Sequence, residues 1–107
     1  MTTKDDKAAS RLVHLAGAYI AREAGRSTLI TVTRAEVGKA GKNALIYVSV
    51  FPDHEVDHAM EFLNRHKNSF KDYLKKEARF GFLPRITFMH DIGEANRRRM
   101  DELSKEV

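Results

Sequence analysis

The chain is 107 residues long, 42% apolar and 32% charged, with no cysteine and a net charge of +4. That length holds one core and excludes two lobes around a cleft, while the lack of thiols excludes disulfides, thiolate metal sites and cysteine nucleophiles and makes the cytoplasm the expected compartment. The polar start, MTTKDDKAAS, lacks the apolar stretch of a secretory signal, and runs such as Ala44 to Val48 are far too short to span a bilayer, so no membrane role is expected.

After a polar segment at residues 1–9, Leu12, Leu15, Ala16, Tyr19 and Ile20 recur at three- and four-residue spacing. This stripe predicts a helix of about three turns, capped by Ser10 and ended by Gly25. TLITVTRAEV and NALIYVSVF follow, both alternating and rich in β-branched or aromatic residues. The intervening GKAGKN supplies residues that take positive φ cheaply, so a hairpin is predicted. In the second run Ile46, Val48 and Val50 face one way, and Leu45, Tyr47, Ser49 and Phe51 the other. The first set is the more strictly apolar and should meet the helices.

Pro52 stops the strand, and Asp53 stands where an N-cap belongs. Val56, Met60, Leu63, Phe70 and Leu74 then mark helical turns, interrupted at His66, Lys67 and Asn68. No apolar side chain fills that gap, and Asn68 tolerates left-handed geometry, so two helices meeting at a kink are predicted. Gly81 and Pro84 end the second helix, RITFMHD is a last strand, and residues 92–107 read as a charged helical tail after a domain spanning 10–91.

The positive charge is concentrated. Residues 64–85 hold seven Lys/Arg against two Asp/Glu, a net +5, whereas the flanking parts are near neutral. Such a segment fits a polyanion-binding surface, since phosphate neutralisation releases counterions; a merely solvated helix face is the alternative. Lys67, Lys71 and Lys75 are four apart and form one side of a helix, with Arg79 continuing the row; Lys76 and Arg85 complete the candidate set. Phe80 and Phe82 read as core aromatics rather than base-stacking ones, and Arg97, Arg98 and Arg99 as either an extension of the contact or a solvated face.

HEVDH, residues 54–58, matches the H-E-x-x-H pattern, which on a helix places two zinc ligands and a water-activating glutamate one turn apart. The histidine that would complete H-x-x-G-x-x-H is missing, since Glu61 and Asn64 stand there, and the one candidate carboxylate further along, Glu77, falls amid lysines in KKEARF without the expected neighbours. His54 also falls immediately after the Pro52–Asp53 turn, with Val56 directed inward between the histidines. The match therefore predicts no metal centre. No G-x-S-x-G and no phosphate-binding glycine loop is present either. The reading is a non-enzyme without cofactor.

FLPRITFMHD carries Leu83, Pro84, Ile86, Phe88 and Asp91 on a pattern that resembles the ribosome-binding factor A family. ALIYVSVF resembles that family's second strand, SFKDYLKKEARF its basic third helix, and SRLVHLAGAYIARE its opening helix; Arg99, Met100 and Leu103 match the start of its tail. The likeness covers about residues 11–103. It implies an α+β, type II KH-like domain, α-β-β-α-α-β, with a three-stranded sheet packed on helices on one face and a short C-terminal helical tail. KH modules clamp single strands with a G-x-x-G loop; this family has instead a kink, usually Ala-x-Gly, aligned here with His66, Lys67 and Asn68. The implied function is a non-catalytic assembly factor that binds the small (30S) ribosomal subunit and 16S rRNA, including its 5′-terminal helix region, during late maturation and rRNA processing. A monomer is expected. A generic KH-type RNA-binding or protein-interaction module unconnected with the ribosome is the alternative.

Overall fold

The computed structural model describes residues 4–24, 29–38, 41–78 and 83–93. Its elements run α1 (Lys4–Glu23), β1 (Leu29–Val37), β2 (Asn43–Phe51), α2 (Val56–Arg65), α3 (Lys67–Ala78) and β3 (Arg85–His90). The strand order is β1-β2-β3. β1 runs antiparallel to β2, as the hairpin between them requires, and β3 returns parallel to β2 after the two-helix crossover.

Alternation decides which sheet face is covered. Ala44, Ile46, Val48 and Val50 of β2, with Ile86 and Phe88 of β3, are buried against the helices. Leu12, Ala16, Tyr19 and Ile20 of α1 close on them from above, joined by Ala59 and Leu63 of α2 and Phe70 and Leu74 of α3. The opposite face is open, with Phe51 and its register partner Leu29 the most exposed large apolar side chains among the described residues.

A bulge in β1 keeps this division intact. The register shifts between Val32 and Arg34, so that Val32 opposes Val48 and Ala35 opposes Ile46, both toward the core despite being three residues apart. Thr33, the extra residue, donates its hydroxyl to Asp91 Oδ2 at 2.6 Å, with the Tyr47 carbonyl 3.3 Å away. Asp91 also accepts from the Gly93 N–H at 3.0 Å and donates its own N–H to Val48 O. This aspartate therefore ties the exit of β3 to the far strand β1 across β2.

Three local expectations change. α1 starts at Lys4, ahead of Ser10, which lies inside the helix rather than at its cap, so residues 4–9 are helix and not a separate polar segment. KDDKAA contains no helix breaker. Asp53 opens a short 3-10 turn, Asp53–Glu55, and Glu55 takes the cap position of α2 without a side-chain capping bond. The break between α2 and α3 is made by His66 alone, at φ −90° and ψ 4°; Lys67 and Asn68 are already helical, so left-handed geometry at Asn68 is not used. The expected helix stops at Gly25 and Gly81, together with Phe80, Phe82, Arg79 and residues 94–107 of the tail, lie outside the described residues.

Candidate nucleic-acid interface

α3 is held by one narrow stripe. Phe70 and Leu74, one turn apart, are almost fully buried, and Phe70 packs its ring 5.4 Å from Tyr19 and 5.9 Å from Phe88 between centroids. Anchoring by two residues fixes the rotation of the helix and therefore the direction of every other side chain on it.

His66 fixes where the helix begins. Its N–H donates to Phe62 O at the end of α2, and its carbonyl accepts from the Phe70 N–H in α3, so one residue serves both helices. Its ring lies on Phe62 with centroids 4.2 Å apart, and its Nδ1 is 3.2 Å from Tyr19 Oη on α1. The hydroxyl donates when that nitrogen carries no proton. Three helices thus converge on this one side chain.

From this anchor, Lys67, Lys71 and Lys75 fall along one flank of α3, the first two half-buried with their stems against the protein and Lys75 exposed. None of these lysines makes an ion pair among the described residues, and neither does exposed Lys76. Helix electrostatics explain only part of the row: Lys75 and Lys76 sit in the last turn, where cations are favoured, but Lys67 stands in a first turn that has no acidic residue, where a cation is disfavoured. Lysines four apart also repel one another.

The remaining sequence candidates are distributed differently. Lys76 projects from another side of α3 than the row, since it follows Asp72 by four residues. Arg85 is exposed at the start of β3, on the side opposite Ile86, and so belongs to the open face of the sheet rather than to the helix layer. Arg65, the exposed last residue of α2, stands just before the turn and was not among the residues singled out; its position next to His66 was the available signal. On the open sheet face the Arg34 guanidinium lies 3.8 Å from the Tyr47 ring centroid and bonds Glu36 at 2.6 Å, so that cation is already engaged.

In the HEVDH segment, Glu55 Oε2 meets His58 Nδ1 at 3.1 Å and Glu55 Oε1 lies 3.7 Å from His54 Nε2. The would-be base thus pairs with the would-be ligands, whose side chains are about four-fifths exposed, at 79% and 81%. No group of three or more His, Cys, Asp or Glu among the described residues is arranged to hold a metal. No helix among them is long and apolar enough to cross a membrane.

The family model for ribosome-binding factor A matches residues 4–104. A ribosome-binding factor A of Kosmotoga olearia is 31% identical over 81 residues, which is 75% of this chain and 65% of that protein, so the chain spans just under two thirds of its relative. The crystal structure of the Thermus thermophilus factor superposes with a TM-score of 0.72 at 22% identity, covering 82% of this chain and 97% of that one. A Thermus thermophilus homology model fitted into a map of a 30S complex gives 0.67 at 24%, covering 76% and 88%. The solution structure of a Thermotoga maritima protein of the same description gives 0.68 at 26%, covering 88% and 94%. With its helix-strand-strand-helix-helix-strand order, mixed sheet and single-residue helix break, the chain has the KH-like α+β fold and belongs to the ribosome-binding factor A family.

Proposed function

We propose that this protein is a non-catalytic factor that binds the small ribosomal subunit during its maturation, contacting 16S rRNA, including the region of its 5′-terminal helix, through one flank of α3. The observation that carries this reading is the unpaired row Lys67, Lys71 and Lys75, which begins in a helix turn that disfavours it and has no carboxylate partner among the described residues. The 30S complex of the Thermus thermophilus relative supports the choice of partner.

The mechanism is electrostatic and geometric. Phosphates on structured rRNA relieve the mutual repulsion of the three lysines and release counterions on binding. Folded RNA presents backbone more than readable base edges, so a rigid cationic flank selects contour rather than sequence. Rigidity comes from the Phe70 and Leu74 anchor below and the His66 junction at the head of the helix. A conformer of the immature subunit that matches the row is favoured by the difference in affinity between the two states. Arg79 is proposed to extend the row, Arg65 to contribute at its head, and Lys76 and Arg85 to make separate contacts, from another side of α3 and from the sheet. We place the protein in the cytoplasm as a monomer, with the KH-like unit, which the start of α1 extends back from residue 10 to Lys4 and which runs to residue 91, carrying the subunit contact and the tail over 92–107 accessory to it.

Co-sedimentation with purified ribosomal particles tests the reading. The wild type should travel with free small subunits and not with 70S ribosomes, and Lys71→Glu with Lys75→Glu should abolish this while leaving the far-UV spectrum unchanged. Equal retention of the folded double variant would overturn it.

A further inference from the structure

The other flank of α3 has a different chemistry. Between it and the last turns of α1 lies a groove of about 450 Å³, walled by Tyr19 and Arg22 on one side and Tyr73 on the other. The tyrosine rings stand 5.3 Å apart between centroids and inclined at 54°, Tyr19 buried and Tyr73 half-exposed. Over them sits a guanidinium, with Arg22 Cζ 5.1 Å from the Tyr73 centroid and 5.6 Å from that of Tyr19. Both distances are within the range of a cation–π contact. Its Nε also donates to Glu23 Oε2 at 3.1 Å, yet its side chain remains 61% exposed.

The rim is acidic. Glu23, Asp72 and Glu77 face Arg22 and Lys76 around the groove, so carboxylates exceed cations by one. Asp72 and Glu77 have no hydrogen bond or ion pair among the described residues. A phosphate would meet this excess unfavourably, whereas a planar cation finds two aromatic faces and two unengaged carboxylates.

We propose that the α1–α3 groove is a seat for an arginine side chain of a basic protein segment, with Arg22 as its built-in and displaceable occupant. The inference goes beyond the rRNA reading and does not depend on it, because the lysine row and the groove lie on different flanks of α3. A strongly basic partner segment and nucleic acid can therefore engage the helix together.

The probe is a flexible peptide of alternating arginine and serine, titrated into the isotopically labelled full chain and followed by amide shifts. Shifts should gather at Ser69, Asp72, Tyr73 and Glu77 and spare Lys67 and Lys71. Arg22→Ala should tighten binding about two- to fivefold, the factor expected when an exposed cation–π competitor is removed. Tyr73→Leu, which keeps apolar bulk but not the ring, should weaken it, as should Asp72→Asn with Glu77→Gln. A lysine–serine peptide should bind less well. Shifts spread equally over the α2 carboxylates Asp57 and Glu61, weaker binding by Arg22→Ala, or a single-stranded oligonucleotide filling the groove in place of the peptide would each overturn the proposal. Since the peptide titration involves no ribosome, its failure leaves the rRNA reading intact, and loss of subunit binding in a lysine variant leaves the groove intact.

Discussion

Replacing His66 by alanine should loosen the junction on which α1, α2 and α3 converge. Three contacts are lost: the bond between Nδ1 and Tyr19 Oη at 3.2 Å, the stack on Phe62 at 4.2 Å, and a weaker edge contact with the Tyr19 ring at 6.2 Å. The first is worth about 0.5–1.5 kcal/mol and the second about 0.5–1.5 kcal/mol. Tyr19 is 4% exposed, so its hydroxyl has little access to water once its partner is gone. The net cost is about 2 kcal/mol, which for a domain of this size lowers the melting temperature by roughly 8–16 °C. Urea unfolding followed by far-UV circular dichroism measures it. Tyr19→Phe separates the contributions, because it removes the hydroxyl and keeps the ring, and should cost about 1 kcal/mol. If His66→Ala unfolds within about 0.5 kcal/mol of the parent, the ordinary scatter of surface substitutions, or if Tyr19→Phe costs as much as His66→Ala, the junction is not held as described.

Other perturbations address other parts of the account. Phe70→Ala removes the ring that touches Tyr19 and Phe88 and should destabilise by about 3–5 kcal/mol in the same urea assay. Asp91→Ala removes the acceptor of the Gly93 N–H and the shorter contact of the Thr33 hydroxyl, which keeps the Tyr47 carbonyl, and should cost about 0.5–1.5 kcal/mol; hydrogen exchange should accelerate in β3 and the bulged part of β1 before it does in α1. Zinc titrated calorimetrically against the HEVDH segment should bind more weakly than micromolar and bring no casein hydrolysis, since Glu55 is turned onto the two exposed histidines and no group of three or more His, Cys, Asp or Glu among the described residues is arranged to hold a metal.

Much of the fold was legible because burial here follows simple periods. Ile46, Val48 and Val50 alternate on a central strand, and Leu12, Ala16, Tyr19 and Ile20 recur with the helix, so the buried face of each is readable from its period alone. Even the bulge is written in β1, where the apolar positions change phase between Val32 and Ala35. The start of α1 was less legible, because a polar helical turn carries no stripe to count. Nor did the pattern say that His66 alone would form the break, since this depends on Tyr19, 47 positions away in the chain. The candidate site divided in a similar way: spacing places Lys67, Lys71 and Lys75 in one row and Lys76 off it, but which way each flank faces is set by the burial of Phe70 and Leu74, and strand alternation in the folded sheet sends Arg85 elsewhere. The groove pairs α1 with α3 across the core and has no local signature at all.

The salt dependence of small-subunit binding tests the central claim most directly. With about five phosphates neutralised, the logarithm of affinity should fall against that of salt with a slope of roughly −3.5 to −4.5. Substituting Lys67, Lys71 and Lys75 by glutamine should make the slope shallower by about 2–2.7 units, the share of three phosphate contacts. A wild-type slope near zero, or a slope unaltered in the folded triple variant, would contradict the account.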